Sequence, residues 1–254
     1  MKETFSNKRI IYKESLDSTN SFLKKLAQDG AEDGTIVIAG EQSAGRGRRG
    51  NSFVSEAGGL YFSFLMRTKG LAVENVTTVT TKTAVAVLKT LKKAAGVNAG
   101  IKWVNDIVLN SKKVCGILVE AGTIAEGGIP YVVIGIGINV NQNEFPDGIS
   151  AVASSLRIET GRIINMDNLI GELVDQLDFL RNHLTDRDDD YLKEYRRACI
   201  TTGREIVFER ESRMNQCRAE KIEDDYGLTV AYQDGSIETL RSGEVHVRGI
   251  EGYV

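Results

Sequence analysis

The sequence predicts an α+β protein of strands and helices over residues 1–203, followed by a small β-barrel over 204–254. Short apolar runs of strand length recur through the first part of the chain. Two helical stripes interrupt them: Val76, Val79, Thr83, Val87, Leu91 and Ala94, then Leu169, Leu173, Leu177, Leu180 and Leu184. After Thr201-Thr202-Gly203 the helical period gives way to short strands and turns.

In order, Arg9 to Glu14 reads as a first strand, and Phe22, Leu23 and Leu26 mark a helix ending near Gly30. Asp17-Ser18-Thr19-Asn20 just before it is an N-cap signal. A cap needs only one such side chain, so ligand contacts are a second reading of the block. Thr35–Ala39 and Leu60–Met66 read as strands on either side of a loop, and Val73–Ala95 as a core helix closed by Gly96. Ile101 to Glu120 reads as a hairpin turning at Asn110-Ser111-Lys112-Lys113. Ile129–Asn141 is a strand with Gly135 and Gly137 inside it, and glycine in a strand interior often marks close approach of a ligand. A loop follows over 142–156, then the leucine-striped helix with Asp167 as its cap, a solvated acidic turn over Asp186–Asp190 and a short helix over Tyr191–Ala198. Five short strands complete the chain, two of them joined by the hairpin signal Asp234-Gly235.

Composition narrows the function. Of 254 residues, 41% are hydrophobic and 26% charged, the mix of a soluble protein, and the net charge of −3 gives no global basic field for nucleic acid. Cys115, Cys199 and Cys217 are odd in number and form no CxxC, so a reducing compartment is expected. His183 and His246 are the only histidines, which excludes a histidine-rich metal centre. With no apolar signal region and no spanning segment, a cytoplasmic protein is expected.

The chemistry centres on Gly45-Arg46-Gly47-Arg48-Arg49-Gly50. Glycine lets backbone fold close over a ligand, and arginine offers planar, permanently charged donors for phosphate or carboxylate. The loop satisfies G-x-G-x-x-G literally, but it runs into Asn51-Ser52-Phe53 and a strand instead of opening a helix. Without Gly-Lys-Ser/Thr it is no Walker A loop either. On its own it is either an anion lid or a basic surface loop.

Together with Lys102-Trp103-Val104-Asn105-Asp106 and Lys113-Val114-Cys115-Gly116-Ile117-Leu118-Val119-Glu120, the chain resembles the biotin protein ligases. Gly135–Asn141, Asp17–Asn20 and the tail Asp234–Val245 resemble the same family, in the same order. Val104 departs from the family's usual proline, and Phe53 from a tryptophan in some members. The resemblance implies a mixed β-sheet flanked by helices, related to class II aminoacyl-tRNA synthetases, with a small C-terminal SH3-like β-barrel. It implies activation of biotin by ATP to biotinyl-5′-AMP, then transfer to a lysine of a biotin carboxyl carrier protein. It implies Mg2+ accompanying ATP, with no protein ligand for the metal readable. The first strand begins near residue 9, so no helix-turn-helix domain and no DNA binding are expected. No membrane partner is expected, and the chain is either a monomer or a homodimer.

By the same resemblance, the catalytic residues are Lys113, Arg48 and Asp106, the last either orienting or deprotonating the acceptor lysine or serving as a structural carboxylate beside a lysine. The biotin-binding residues are Ser18, Thr19, Asn20, Gln42, Arg46, Gly47, Arg48, Lys113, Gly116 and Gly135. Arg48, Phe53, Lys102, Asn105 and Asn139 face ATP or the adenylate. Gly116 and Gly135 leave room for the valeryl chain, and Trp103 is either core or site. The rivals are a lipoate or octanoate ligase, and a nucleic-acid-binding module without enzymatic activity.

Overall fold

The structure, a computed structural model, describes residues 10–124, 127–184, 189–210, 213–241 and 246–249. Seven strands form one mixed sheet: β1 (Ile10–Leu16), β2 (Ile36–Gln42), β3 (Leu60–Leu71), β4 (Gly100–Lys102), β5 (Asp106–Leu109), β6 (Lys112–Ala121) and β7 (Ile129–Ile138). Their order is β1-β2-β3-β7-β6-β5-β4, and only β1 and β2 run parallel. That parallel pair needs a crossover, which is supplied by helix α1 (Thr19–Gln28).

Strand alternation separates the two faces. Ile36, Ile38, Phe62, Phe64, Ile134, Ile136 and Ile117 point into the main core. There they meet α2 (Val76–Thr90), α5 (Met166–Asn182) and α6 (Asp189–Ala198), and the short helices α3 (Asp147–Ser150) and α4 (Leu156–Thr160) lie between α2 and α5 in the chain. The intervening positions face α1, where Val37, Leu65, Val133 and Tyr131 pack on Leu23 and Ala27.

Caps refine the expected boundaries. Ser18 is the N-cap of α1, its hydroxyl accepting from Ser21 N at 3.4 Å. The cap of α5 is Asn165, which accepts from Asn168 N at 3.0 Å, and the expected cap Asp167 sits inside the first turn. An isolated carboxylate and a helix-entry amide give the same sequence signal, and chain direction at Asn165 decides between them. The single helix expected over Val73–Ala95 is a 3-10 turn (Val73–Asn75), α2 and a π turn (Leu91–Ala95), closed by Gly96 at φ 67°. The acidic residues 186–188, Arg9 and the tail residues 242–245 lie outside the described residues.

The C-terminal strands β8 (Glu205–Arg210), β9 (Arg213–Ile222), β10 (Leu228–Ala231), β11 (Ile237–Leu240) and β12 (His246–Gly249) form an antiparallel sheet of order β11-β10-β9-β8-β12. It does not stand apart from the rest of the core. Ile206, Phe208 and Tyr226 belong to the same apolar cluster as Trp103 and Val104. Trp103 Nε1 donates to Tyr226 O at 2.9 Å, Trp103 N to Thr201 Oγ1 at 2.9 Å, and Tyr195 Oη to Val104 O at 3.1 Å. Trp103 is therefore core, bolting the 102–106 segment to the second sheet.

Candidate functional site

Two rows of register partners cross the sheet on the face that α1 covers. One runs Ser63–Gly135–Leu118. The other runs Tyr61–Gly137–Gly116–Asp106–Lys102. Directly opposed residues share a face, so alternation alone brings Tyr61, Asp106, Leu118 and the three glycines of these rows to one cleft, with Ser63 and Lys102 outside its lining.

Lys113 needs a further device. Ile107 pairs with Cys115, but Val108 pairs with Lys113, so β6 carries a bulge at Val114. In an unbroken strand Lys113 would share the face of Cys115 and Ile117, which are buried in the main core. The extra residue reverses the phase and sends Lys113 to the cleft face. Its Nζ lies 2.7 Å from Asp106 Oδ1 and 5.8 Å from the centre of the Phe53 ring.

The floor is a hydrogen-bonded polar block at the start of α1. Gln42 Oε1 accepts from Thr19 N at 2.8 Å and lies 3.0 Å from Thr19 Oγ1, while Gln42 Nε2 donates to Ser55 Oγ at 2.9 Å. Asn20 is buried and donates to Leu118 O at 3.2 Å and to Glu120 Oε2 at 2.9 Å. Its Oδ1 accepts from Ser63 Oγ at 2.6 Å. A Cβ at Gly135 would fall 2.4 Å from Asn20 Oδ1, so the space at Gly135 is filled by the Asn20 amide. The Phe53 ring likewise takes the space at Gly137 and Gly116, where added Cβ atoms would come within 2.7 and 3.2 Å of it.

The glycine–arginine loop is a narrow ribbon over this floor. Gln42 N donates to Ser55 O, Phe53 N to Gly45 O and Gly47 N to Asn51 O, and Arg49 turns the tip at φ 56°. Arg46 Nη2 reaches Glu120 Oε2 at 3.0 Å, and Arg48 Nη1 donates to Asn105 Oδ1 at 3.1 Å. Asn105 is itself held by Ile117 O at 2.9 Å. Burial lowers the Arg48 pKa, and the Asp106 carboxylate opposes that shift. A guanidinium remains charged under such a shift.

The cleft is lined by Ser18, Thr19, Asn20, Gln42, Arg46, Gly47, Arg48, Phe53, Asn105, Asp106, Lys113, Gly116 and Gly135, all singled out in the sequence. Its cavity volume is about 100 Å³. Ligand pockets usually offer roughly 300–1,000 Å³, so the ribbon stands within the space a ligand needs. Lys102 and Asn139 do not line it. Lys102 is buried in β4, opposite Asp106. Asn139 braces the following loop, donating from Nδ2 to Ser154 O at 3.0 Å, and its buried Oδ1 has no hydrogen-bond partner among the described residues. Sequence reasoning missed Ser63, Ser55 and Glu120. Ser63 is a lone serine among the apolar residues of β3, and that was the only signal it offered.

Four cations (Arg46, Arg48, Arg49 and Lys113) line the cleft against one carboxylate, Asp106, in a chain of net charge −3. Fold and site thus define an α+β protein with a cation-lined cleft between a hydrogen-bonding floor and an arginine ribbon. The biotin/lipoate A/B protein ligase family matches residues 12–139, half of the chain, and the chain belongs to that family. Biotin protein ligase from Aquifex aeolicus, solved in complex with biotin and ATP, superposes with a TM-score of 0.81 at 26% identity, covering 95% of this chain and 99% of that one. The bifunctional ligase/repressor BirA of Bacillus subtilis is 37% identical over 177 residues, 68% of this chain and 54% of the relative. The chain thus spans about half the length of that relative. The biotin–[acetyl-CoA-carboxylase] ligase of Mycobacterium tuberculosis is 27% identical over 237 residues, 91% of this chain and 86% of the relative.

Proposed function

We propose that this chain, as an enzyme, activates biotin with ATP and passes it to a lysine of a biotin carboxyl carrier protein. The observation that carries this reading is the cation-lined cleft whose floor is a ring of matched donors and acceptors. Biotin's ureido ring is neutral and needs such a floor, while its carboxylate and the ATP phosphates need the cations. The Aquifex relative, which shares the fold over nearly its whole length, is described in complex with those two molecules.

In the first step a carboxylate oxygen of biotin forms a bond to the α-phosphorus of ATP, and the bond to the β-phosphate oxygen breaks, releasing pyrophosphate. Two anions must meet as charge gathers on the α-phosphate. Lys113 and Arg48 are the donors placed to stabilise that charge, and losing one such donor costs about 2.7–4 kcal/mol of activation. In the second step the acceptor lysine's nitrogen attacks the acyl carbon, AMP leaves, and the amine gives up a proton. Asp106, 2.7 Å from Lys113 Nζ, is the carboxylate at hand to orient or deprotonate that amine. Phe53 and the unpaired Oδ1 of Asn139 serve the adenine side, the first by stacking and the second by accepting from the base's amino group. Lys102 is a contact for the phosphates. Mg2+ enters with ATP as part of the substrate. Residues 1–203 form the catalytic domain, and 204–254 a domain that supports it through the Trp103 contacts.

Pyrophosphate release from Mg·ATP, measured with biotin, lipoate and octanoate separately, tests the reading. Release with biotin alone, followed by label transfer to a carrier-domain lysine, is the expected result. Release with lipoate or octanoate alone would overturn it in favour of the lipoate side of the family.

A further inference from the structure

Glu120 lies at the far end of β6 and touches both halves of the site. Its Oε2 accepts from Asn20 Nδ2 at 2.9 Å and pairs with Arg46 Nη2 at 3.0 Å, while Oε1 pairs with Lys24 Nζ at 3.3 Å. Asn20 belongs to the floor and Arg46 to the ribbon, so one carboxylate joins the two. Its side chain is 17% exposed, against 44% for Arg46, so the pair is partly shielded from solvent.

We infer that Glu120 is a positioning residue that latches the ribbon to the floor and governs how long the closed site retains its acyl adenylate. This rests on the ligase reading. A carboxylate can only accept hydrogen bonds. Together with Leu118 O it orients the Asn20 amide with Nδ2 toward β6 and Oδ1 toward Ser63, the arrangement observed. The same charge holds the Arg46 guanidinium, drawing the stem of the ribbon onto the sheet edge of the cleft. A glutamine at 120 keeps the shape but removes the charge. The Asn20 amide then keeps only the 3.2 Å bond to Leu118 O as a fixed acceptor, and the amide nitrogen of the new glutamine competes with the two cations. The backbone bonds beside Arg46, Phe53 N to Gly45 O and Gly47 N to Asn51 O, join the two arms of the ribbon to each other and not to the floor.

The test compares wild type, Glu120→Gln, Arg46→Ala and the double variant. The readouts are dissociation of preformed biotinyl-5′-AMP and stray biotinylation of serum albumin. The expected result is adenylate release on the order of tenfold faster in each single variant, the size of one charge-assisted bond. The double variant should be no faster than Glu120→Gln alone, because the Arg46 ion pair is already lost there. The biotin KM should rise in Glu120→Gln more than in Arg46→Ala, because only the former disturbs Asn20. Release at the wild-type rate in Glu120→Gln, or effects that multiply in the double variant, would overturn the latch. If wild type forms no adenylate, the ligase reading fails instead. The latch is then judged by trypsin cleavage at Arg48 and Arg49 without ligand, which should be faster in Glu120→Gln. Unchanged cleavage would overturn it.

Discussion

Replacing Gly135 by alanine puts a methyl carbon 2.4 Å from Asn20 Oδ1 and 2.8 Å from both Cγ and Nδ2 of the same side chain. Asn20 has nowhere to retreat. It is 4% exposed, lies against β6, and makes bonds to Ser63, Leu118 and Glu120. Relief means shifting its amide and weakening those bonds. Overpacking of this kind costs about 1–3 kcal/mol, and a weakened neutral hydrogen bond adds up to about 1 kcal/mol. A loss of about 2 kcal/mol lowers Tm by roughly 4–8 °C in a chain of this size. The floor moves with Asn20, so biotin affinity should fall at least about tenfold. Calorimetric scanning and titration with biotin measure both quantities. Gly148→Ala is the internal control, since nothing lies within 4 Å of an added Cβ there. If Gly135→Ala matches that control in Tm and in biotin affinity, the floor is not built around Asn20 and the packing account is refuted.

Arg48→Gly removes the bond to Asn105 and the guanidinium beside Asp106. It should release the adenylate early and biotinylate lysines without regard to their carrier, read on a gel with albumin present. Selectivity equal to wild type would defeat the lid account. Stability should also fall in alkali. Burial pushes the Cys217 thiol up to about 12 from 9.0 and raises Cys115, Tyr61 and Tyr195 as well. The unfolded chain gives up these protons first, so this stabilisation is complete below about pH 9 and is lost as pH rises toward about 12. The urea midpoint should be lower at about pH 10.5 than at about pH 8, and equal midpoints would refute the assignment.

Much of the fold was legible because local periodicity reflects burial. The leucine stripe of α5 and the alternation of Phe62 and Phe64 with Tyr61 follow from which face each element buries. The two-residue turn at Asn110 and Ser111, with φ of 48° and 66°, lies where the polar run predicted it. Boundaries were less legible. The π turn after α2 packs on α5, which no local pattern records, whereas α4, which carries local caps in Ser155 and Gly161, starts at the end of the stretch read as a loop. Glu120 was visible as the last letter of its block, but its role needs Asn20 and Arg46, which are 100 and 74 residues distant.

By itself the sequence determined the strand faces, the long helices, the glycine–arginine loop and the family resemblance, because each is carried by neighbouring residues. Only the tertiary structure decided that the bulge at Val114 turns Lys113 toward Asp106. Likewise, Gly135 makes room for Asn20, Gly137 and Gly116 for Phe53, and Trp103 belongs to the joint with the second sheet. Strand register sets each of these arrangements, and register is a long-range pairing that one mispaired residue would reverse.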